Sequence, residues 1–421
     1  MRGLKALGGI SAVNALVAAL ALITSPLQAR ALGPGGRGDL AAIVVSFGLI
    51  PIIVDFGLTV FAARATARGV SARRLHGTLV PLAVGVGVVV ALTSPLLADL
   101  IANGRDDVHD VILLGFLLMP LFLATTIPSG IIWGREDWRV WTIIRLIPPV
   151  LLLVIYVALY LSETFTVRAA GIAVVGVTVV SIVPLIPFVL RSGWARFEPP
   201  LAKEAVSYGS KVWVSTVTTV STARLDQLLM VRLVANTELG WYVVATNIAT
   251  LQGIFVSALL TVMFPRVSRG DIALIGRALR LSMLGAVLMS AVLAVLVIPV
   301  VPALFGEDFE PVIKMTHILL VAAVPQAGML VLAQGLSGAG HPGVAGKGHL
   351  LSLAVTVPGL LLFVASTGGD GAAVISLVGY TISLVYLATA TRTRLGVPIR
   401  ELITPRKSDF HLSRRATGAA G

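Results

Sequence analysis

The segment RALGPGGRGDL, Arg30 to Leu40, returns 202 residues later as RLVANTELGWY, Arg232 to Tyr242. Arginine falls on arginine, and Gly38 falls on Gly240. Each copy lies between two apolar runs. Further echoes pair Arg64 with Arg266 at the same offset, and Ile112-Leu113-Leu114 with Ile318-Leu319-Leu320 and Gly134 with Gly340 at an offset of 206. Self-similarity at a near-constant offset of half the chain predicts two similar halves.

The material between the echoes is apolar. Of 421 residues, 57% are hydrophobic and 12% charged, where a soluble domain carries about 25% charge. Runs near the roughly 20 residues that cross a bilayer recur along the whole length. They predict an all-α polytopic membrane protein with twelve transmembrane helices, at 8–27, 40–62, 78–98, 111–132, 140–161, 169–190, 208–231, 241–264, 281–301, 312–333, 344–366 and 371–391. The chain has no cysteine, which excludes disulfides, thiolate metal sites and a cysteine nucleophile. Its six histidines are scattered without metal-ligand spacing, so no metal site is expected. Gly33, Gly35 and Gly38, and again Gly338, Gly340 and Gly343, match G-x-G-x-x-G, but they lie in short connections between spans with no preceding strand, so no dinucleotide site is expected.

The net charge of +12 has a topological reading. With the N-terminus placed inside, 23 Lys and Arg fall in the inner segments and six in the outer loops: Arg30, Arg37, Arg105, Arg168, Arg232 and Lys314. Eleven acidic residues fall outside. The positive-inside rule then predicts a multi-pass protein of the cell membrane with both termini cytoplasmic, and nucleic acid is not needed as a partner. Arg2, Lys5, an apolar run and LQARA resemble a secretory signal, but the run is longer than a signal core and reads as the first span. Six spans per half is an even number, so the halves share one orientation. They are predicted as bundles at 1–195 and 196–392 around a central cavity, followed by a basic, unstructured cytoplasmic tail at 393–421.

Ionisable groups inside the spans are candidate functional residues, because lipid does not solvate charge. Span seven is poor in leucine, and its Lys211, Ser215, Thr218, Thr222 and Asp226 are spaced by four, three, four and four, one polar stripe on a helix. The stripe suits a hydrated cavity wall or, alternatively, tight packing of small residues. Arg224 stands about 200° from Asp226, so the helix is broken there or one of the two pairs with a neighbour. Arg145, about two turns into span five, suits bidentate contact with a pyrophosphate or an interfacial anchor. Asp55 is a structural partner or a coupling site. Arg30 faces the cavity mouth or anchors the end of span one.

The run RALGPGGRGDLAAIV after span one, VDFGL at 54–58, Arg224-Leu225-Asp226 and Gly240-Trp241-Tyr242 resemble the polysaccharide-transporter family, the oligosaccharide-lipid flippases of the multidrug/oligosaccharidyl-lipid/polysaccharide (MOP) exporter superfamily. The resemblance implies a MATE-like fold that alternates between inward-open and outward-open states. It also implies a polyprenyl-pyrophosphate-linked saccharide substrate, turned from the inner to the outer leaflet. Arg30, Arg145, Lys211 and Arg224 are then expected to contact substrate, with Asp55 and Asp226 in coupling or structural roles. No cofactor is expected beyond a coupling proton or sodium ion. The expected partners are membrane lipids and a polymerase or glycosyltransferase, and the chain itself is expected to be monomeric. The competing readings are a multidrug or small-solute antiporter of the same superfamily and a membrane saccharide polymerase or ligase. The cationic bias of the buried charges disfavours the first. The short outer loops disfavour the second, and a non-enzyme is expected.

Overall fold

The computed structural model describes residues 2–404, with the side chains of 2–12, 14 and 15 and of ten others, Ser215 among them, outside that description. Residues 405–421, most of the basic tail, also lie outside it. The described chain is nearly all helix and contains no strand. In order the helices are α1 (Arg2–Val54), α2 (Leu58–Ala67), α3 (Ala72–Leu92), α4 (Ser94–Ala102), α5 (Asp106–Leu117), α6 (Met119–Gly134), α7 (Trp138–Leu161) and α8 (Val167–Val180). They continue with α9 (Ile186–Ser192), α10 (Pro199–Leu233), α11 (Asn236–Ala249), α12 (Gly253–Val267), α13 (Ala273–Phe305), α14 (Pro311–Gly338), α15 (Pro342–Leu395) and α16 (Ile399–Ile403).

Helix occupies every one of the twelve expected intervals, with α1 and α15 each serving two. By length and composition alone, seven described helices can cross a membrane, or eight if the bent pair α5 and α6 is one span. The remainder differ for local reasons. α10 is long enough but carries the polar stripe. α11 and α12 have 14 and 15 residues and meet at a 3-10 turn, Thr250–Gln252.

The expected loops at 28–39 and 367–370 are not loops. Helix continues through both, broken at single glycines: Gly33 (φ 64°, ψ −178°) and Gly368 (φ 60°, ψ −151°). A side chain is strongly disfavoured in that conformation, so one glycine redirects the helix without a turn. The expected second span is interrupted as well. Asp55 accepts from the Thr59 amide (3.2 Å) and hydroxyl (2.8 Å) and from the Thr126 hydroxyl (3.1 Å), which restarts the chain as α2. Gly57, at φ 72°, presses backbone to backbone on Gly209 of α10. VDFGL therefore encodes a helix interruption with its own cap.

The chain forms two compact units. The first holds everything through Asn247 together with Val297–Met315 and Val357–Ala372. Leu40, Tyr156, Phe165 and Ala170 are buried together in it. The second holds Ile248–Leu296, Thr316–Thr356 and the chain from Ala373, around Ile275, Leu279, Leu332, Leu336 and Leu387.

Within the first unit the two echo segments pack on each other. A Cβ on Gly38 would overlap the Asn236 carbonyl, and one on Gly240 would overlap the Pro34 carbonyl. Beside this crossing Arg105 donates to Asp39 (2.7 Å) and to Asn236 (2.9 Å). A second tie fixes the segment ahead of α10. The Arg73 side chain donates to the Trp194 carbonyl (2.8 Å), Ala195 donates to the Arg73 carbonyl (3.0 Å), and Glu198 takes a bidentate pair from Arg74 (2.8 and 2.6 Å).

Candidate functional site

A cavity of about 270 Å³ lies inside the first unit, lined by α1, α7, α8, α10 and α11. Val17, Leu20, Ala21, Thr24, Ser25 and Gln28 of α1 line it before the Gly33 break, and Arg37, Ala41, Val44 and Val45 line it after the break. Pro149, Leu152 and Tyr156 of α7 face it, as do Arg224 and Gln227 of α10 and Val243 and Asn247 of α11. The described lining therefore holds two guanidinium groups, several neutral hydrogen-bonding groups and no carboxylate.

Arg37 is 5% exposed, and its Nε has no hydrogen-bond partner. Its charge is within electrostatic reach of Tyr156 and Arg224. A buried guanidinium without a counterion is costly, and a second one in the same cavity adds repulsion. An anion in the cavity would relieve both. Arg224 is held by a 3.3 Å bond from Nη1 to the Gln227 side-chain oxygen, and Gln227 in turn donates to Thr246 (3.0 Å).

α10 runs unbroken past Arg224 and Asp226, and the 200° between them is resolved by pairing. Arg224 faces the cavity. Asp226 turns to α11, where it is 9% exposed and accepts from the Tyr242 hydroxyl (2.6 Å) and the Gln227 amide (2.8 Å). Along the rest of the stripe, Lys211 is exposed and Thr218 is buried. The Thr222 hydroxyl donates to the Thr218 carbonyl (2.7 Å), an internal bond that hydroxyls in helices often make. Ser215 lies outside the described side chains.

Two other expected contacts are placed elsewhere. Arg30 is exposed, and its Nε donates to the Leu304 carbonyl (2.8 Å) while Nη2 donates to Ala303. It thus covers the free carbonyls at the end of α13. Arg145 is exposed, with its guanidinium carbon 5.0 Å over the Trp141 ring. Neither lines the cavity. Asp55 is the cap already described.

Arg37 was not among the expected site residues; it was counted as an outer-loop charge because of the glycines around it. Its spacing held the missing signal. With helix carried back from Leu40, Arg37, Ala41 and Val45 fall at i, i+4 and i+8 on one face, the face that lines the cavity.

A family model described as "Polysaccharide biosynthesis protein" matches residues 4–271. The chain belongs to that family. None of the curated proteins matches it. Solved structures with a similar fold include the lipid II flippase MurJ in an inward closed conformation (TM-score 0.77, 12% identity), covering 93% of this chain and 88% of that one. An inward-facing multidrug resistance MATE family transporter of the MOP superfamily is also similar (TM-score 0.72, 15% identity), covering 90% and 94%. A MOP superfamily transporter from Pyrococcus furiosus follows (TM-score 0.62, 15% identity), covering 95% and 97%. At these identities the likeness establishes the fold. This family member is a multi-pass, all-α, MATE-like membrane protein with the architecture of the MOP-superfamily transporters and flippases.

Proposed function

We propose that the protein turns a polyprenyl-pyrophosphate-linked oligosaccharide from the inner to the outer leaflet for cell-surface polysaccharide export. The observation that carries this reading is the pairing of Arg37 and Arg224 in one cavity that lacks a carboxylate. A pyrophosphate does not cross hydrocarbon unaided, because its charge loses water and counterions. Two guanidinium groups replace both, by charge and by bidentate hydrogen bonds, while the polyprenyl tail stays in lipid. A cationic drug would meet repulsion at the same place.

Alternating access moves the headgroup between leaflets, and bundles at 1–195 and 196–392 are the bodies proposed to move. A proton or sodium ion at Asp226 or Asp55 is the proposed bias between the two states. Both termini are assigned to the cytoplasm by the charge count, and a polymerase or glycosyltransferase is the proposed neighbour in the pathway.

Depletion in the native cell is the first test: lipid-linked saccharide should accumulate on the cytoplasmic leaflet. In proteoliposomes, Arg37→Ala and Arg224→Ala should each lower headgroup translocation at least about tenfold, the cost of losing a charged hydrogen bond, with normal yield of folded protein. Translocation at the wild-type rate in both variants would rule out the cavity as the headgroup site.

A further inference from the structure

We propose that Arg145, set over Trp141, is a staging site for the phosphate of a lipid headgroup, reached before the Arg37–Arg224 cavity. The proposal rests on the cavity reading above and adds a second, shallower anion site on the same helix face.

Pro149, Leu152 and Tyr156 of α7 line the cavity, spaced by three and four. The same spacing carried toward the start of α7 reaches Arg145, Trp141 and Trp138. At 100° per residue these six positions fall within an arc of about 80°. At 1.5 Å per residue, Arg145 stands about 6 Å along the axis from Pro149 and about 16 Å from Tyr156. One face of one helix thus runs from an aromatic–cationic cluster at its start to the cavity within.

The cluster has the chemistry of a headgroup site. Arg145 is exposed and forms no ion pair among the described residues. Its guanidinium lies 5.0 Å over the Trp141 ring, and the Trp141 and Trp138 rings meet edge to face at 6.2 Å. Side chains on a helix lean toward its N-terminus, so Arg145 reaches back to the level where two tryptophans mark the lipid–water boundary. The guanidinium makes no ion pair among the described residues, and its N–H fork suits a phosphate. A simple interfacial anchor would be met by Arg139, already at the start of the helix. Arg145 is six residues further in, without a carboxylate, and on the cavity side. A headgroup that pauses there exchanges water for a guanidinium before it leaves the surface, so desolvation is divided between two steps.

The test is stopped-flow tryptophan quenching of the reconstituted protein, with farnesyl pyrophosphate as the lipid probe and inorganic pyrophosphate as the soluble one. Arg145→Gln should slow association of farnesyl pyrophosphate about tenfold and flatten its dependence on ionic strength, as expected when a steering charge is lost. Arg145→Lys should keep the ionic-strength dependence. Arg224→Gln should act instead by speeding dissociation. Inorganic pyrophosphate, which does not arrive along the bilayer surface, should associate with Arg145→Gln as fast as with wild type. The staging site is overturned if Arg145→Gln leaves the farnesyl association rate unaltered, acts only on dissociation, or slows both probes equally. Normal dissociation from Arg224→Gln is a separate result and counts against the cavity reading.

Discussion

Arg224 and Asp226 are two residues apart on one straight helix and have opposite surroundings. Arg224 lines a cavity, whereas Asp226 turns its oxygens to Tyr242 and a backbone amide. Removing the Tyr242 hydroxyl would leave a buried carboxylate oxygen without its donor, which costs about 1–3 kcal/mol. Tyr242→Phe should therefore lower the midpoint of thermal unfolding in detergent, and Asp226→Asn combined with Tyr242→Phe should restore part of the loss, because an amide is less costly to bury than a carboxylate. A double variant no better than the single one would mean that Asp226 has another use. The 200° between the two residues was legible in the sequence. Which of them faced inward was not, because that depends on Tyr242, sixteen residues later on another helix.

At the level of elements, the apolar runs were placed well and the connections were not. Glycine and proline at 33–38 read as a loop, yet only Gly33 leaves helical geometry. The misreading hid Arg37, since a charge in a loop needs no explanation while a charge on a buried helix face does. Of the polar stripe expected in span seven, Lys211 is exposed while Thr218 and Asp226 are buried in the first unit, and the cavity lies on the Arg224 side. Periodicity finds a face and does not say what covers it. The tie between α3 and the 193–198 segment gave no sequence signal, because it depends on backbone atoms of Arg73, Trp194 and Ala195. Its titrating members include His76, 3.4 Å from the Gly193 carbonyl, and Glu198, held below the usual carboxylate range by the hydrogen bonds and charge of Arg74. A lowered carboxylate contributes while ionised, so its contribution is complete above the ordinary glutamate range and is lost as pH falls through the lowered value. Amide protection at 195–198, read by hydrogen exchange, should fall at acid pH in the wild type. In Arg74→Gln it should already be low at neutral pH and respond less to acid.

For the whole molecule, the charge count makes a statement that the fold alone does not. The proposed orientation, with both ends of the chain in the cytoplasm, rests on twenty-three basic residues on one side and six on the other. The absence of cysteine makes this simple to check, because a single introduced thiol has no background. A thiol at Glu163 should react with a membrane-impermeant maleimide in intact cells, and one at Lys347 should react only after permeabilisation. The reverse pattern would invert the proposed direction of transport. The echo between Arg30–Leu40 and Arg232–Tyr242 rests on two identities, one of which marks a contact. Gly38 and Gly240 are matched in the repeat and lie at the same crossing, where each makes room for a backbone carbonyl.

That crossing also has a mechanical side. Helices normally engage through ridges and grooves of side chains. Where Gly38 passes Asn236 and Gly240 passes Pro34, the backbones themselves meet, the close approach that small residues permit. A methyl group at either position would act as a wedge between the two segments, so the crossing stays shut only while both positions stay bare.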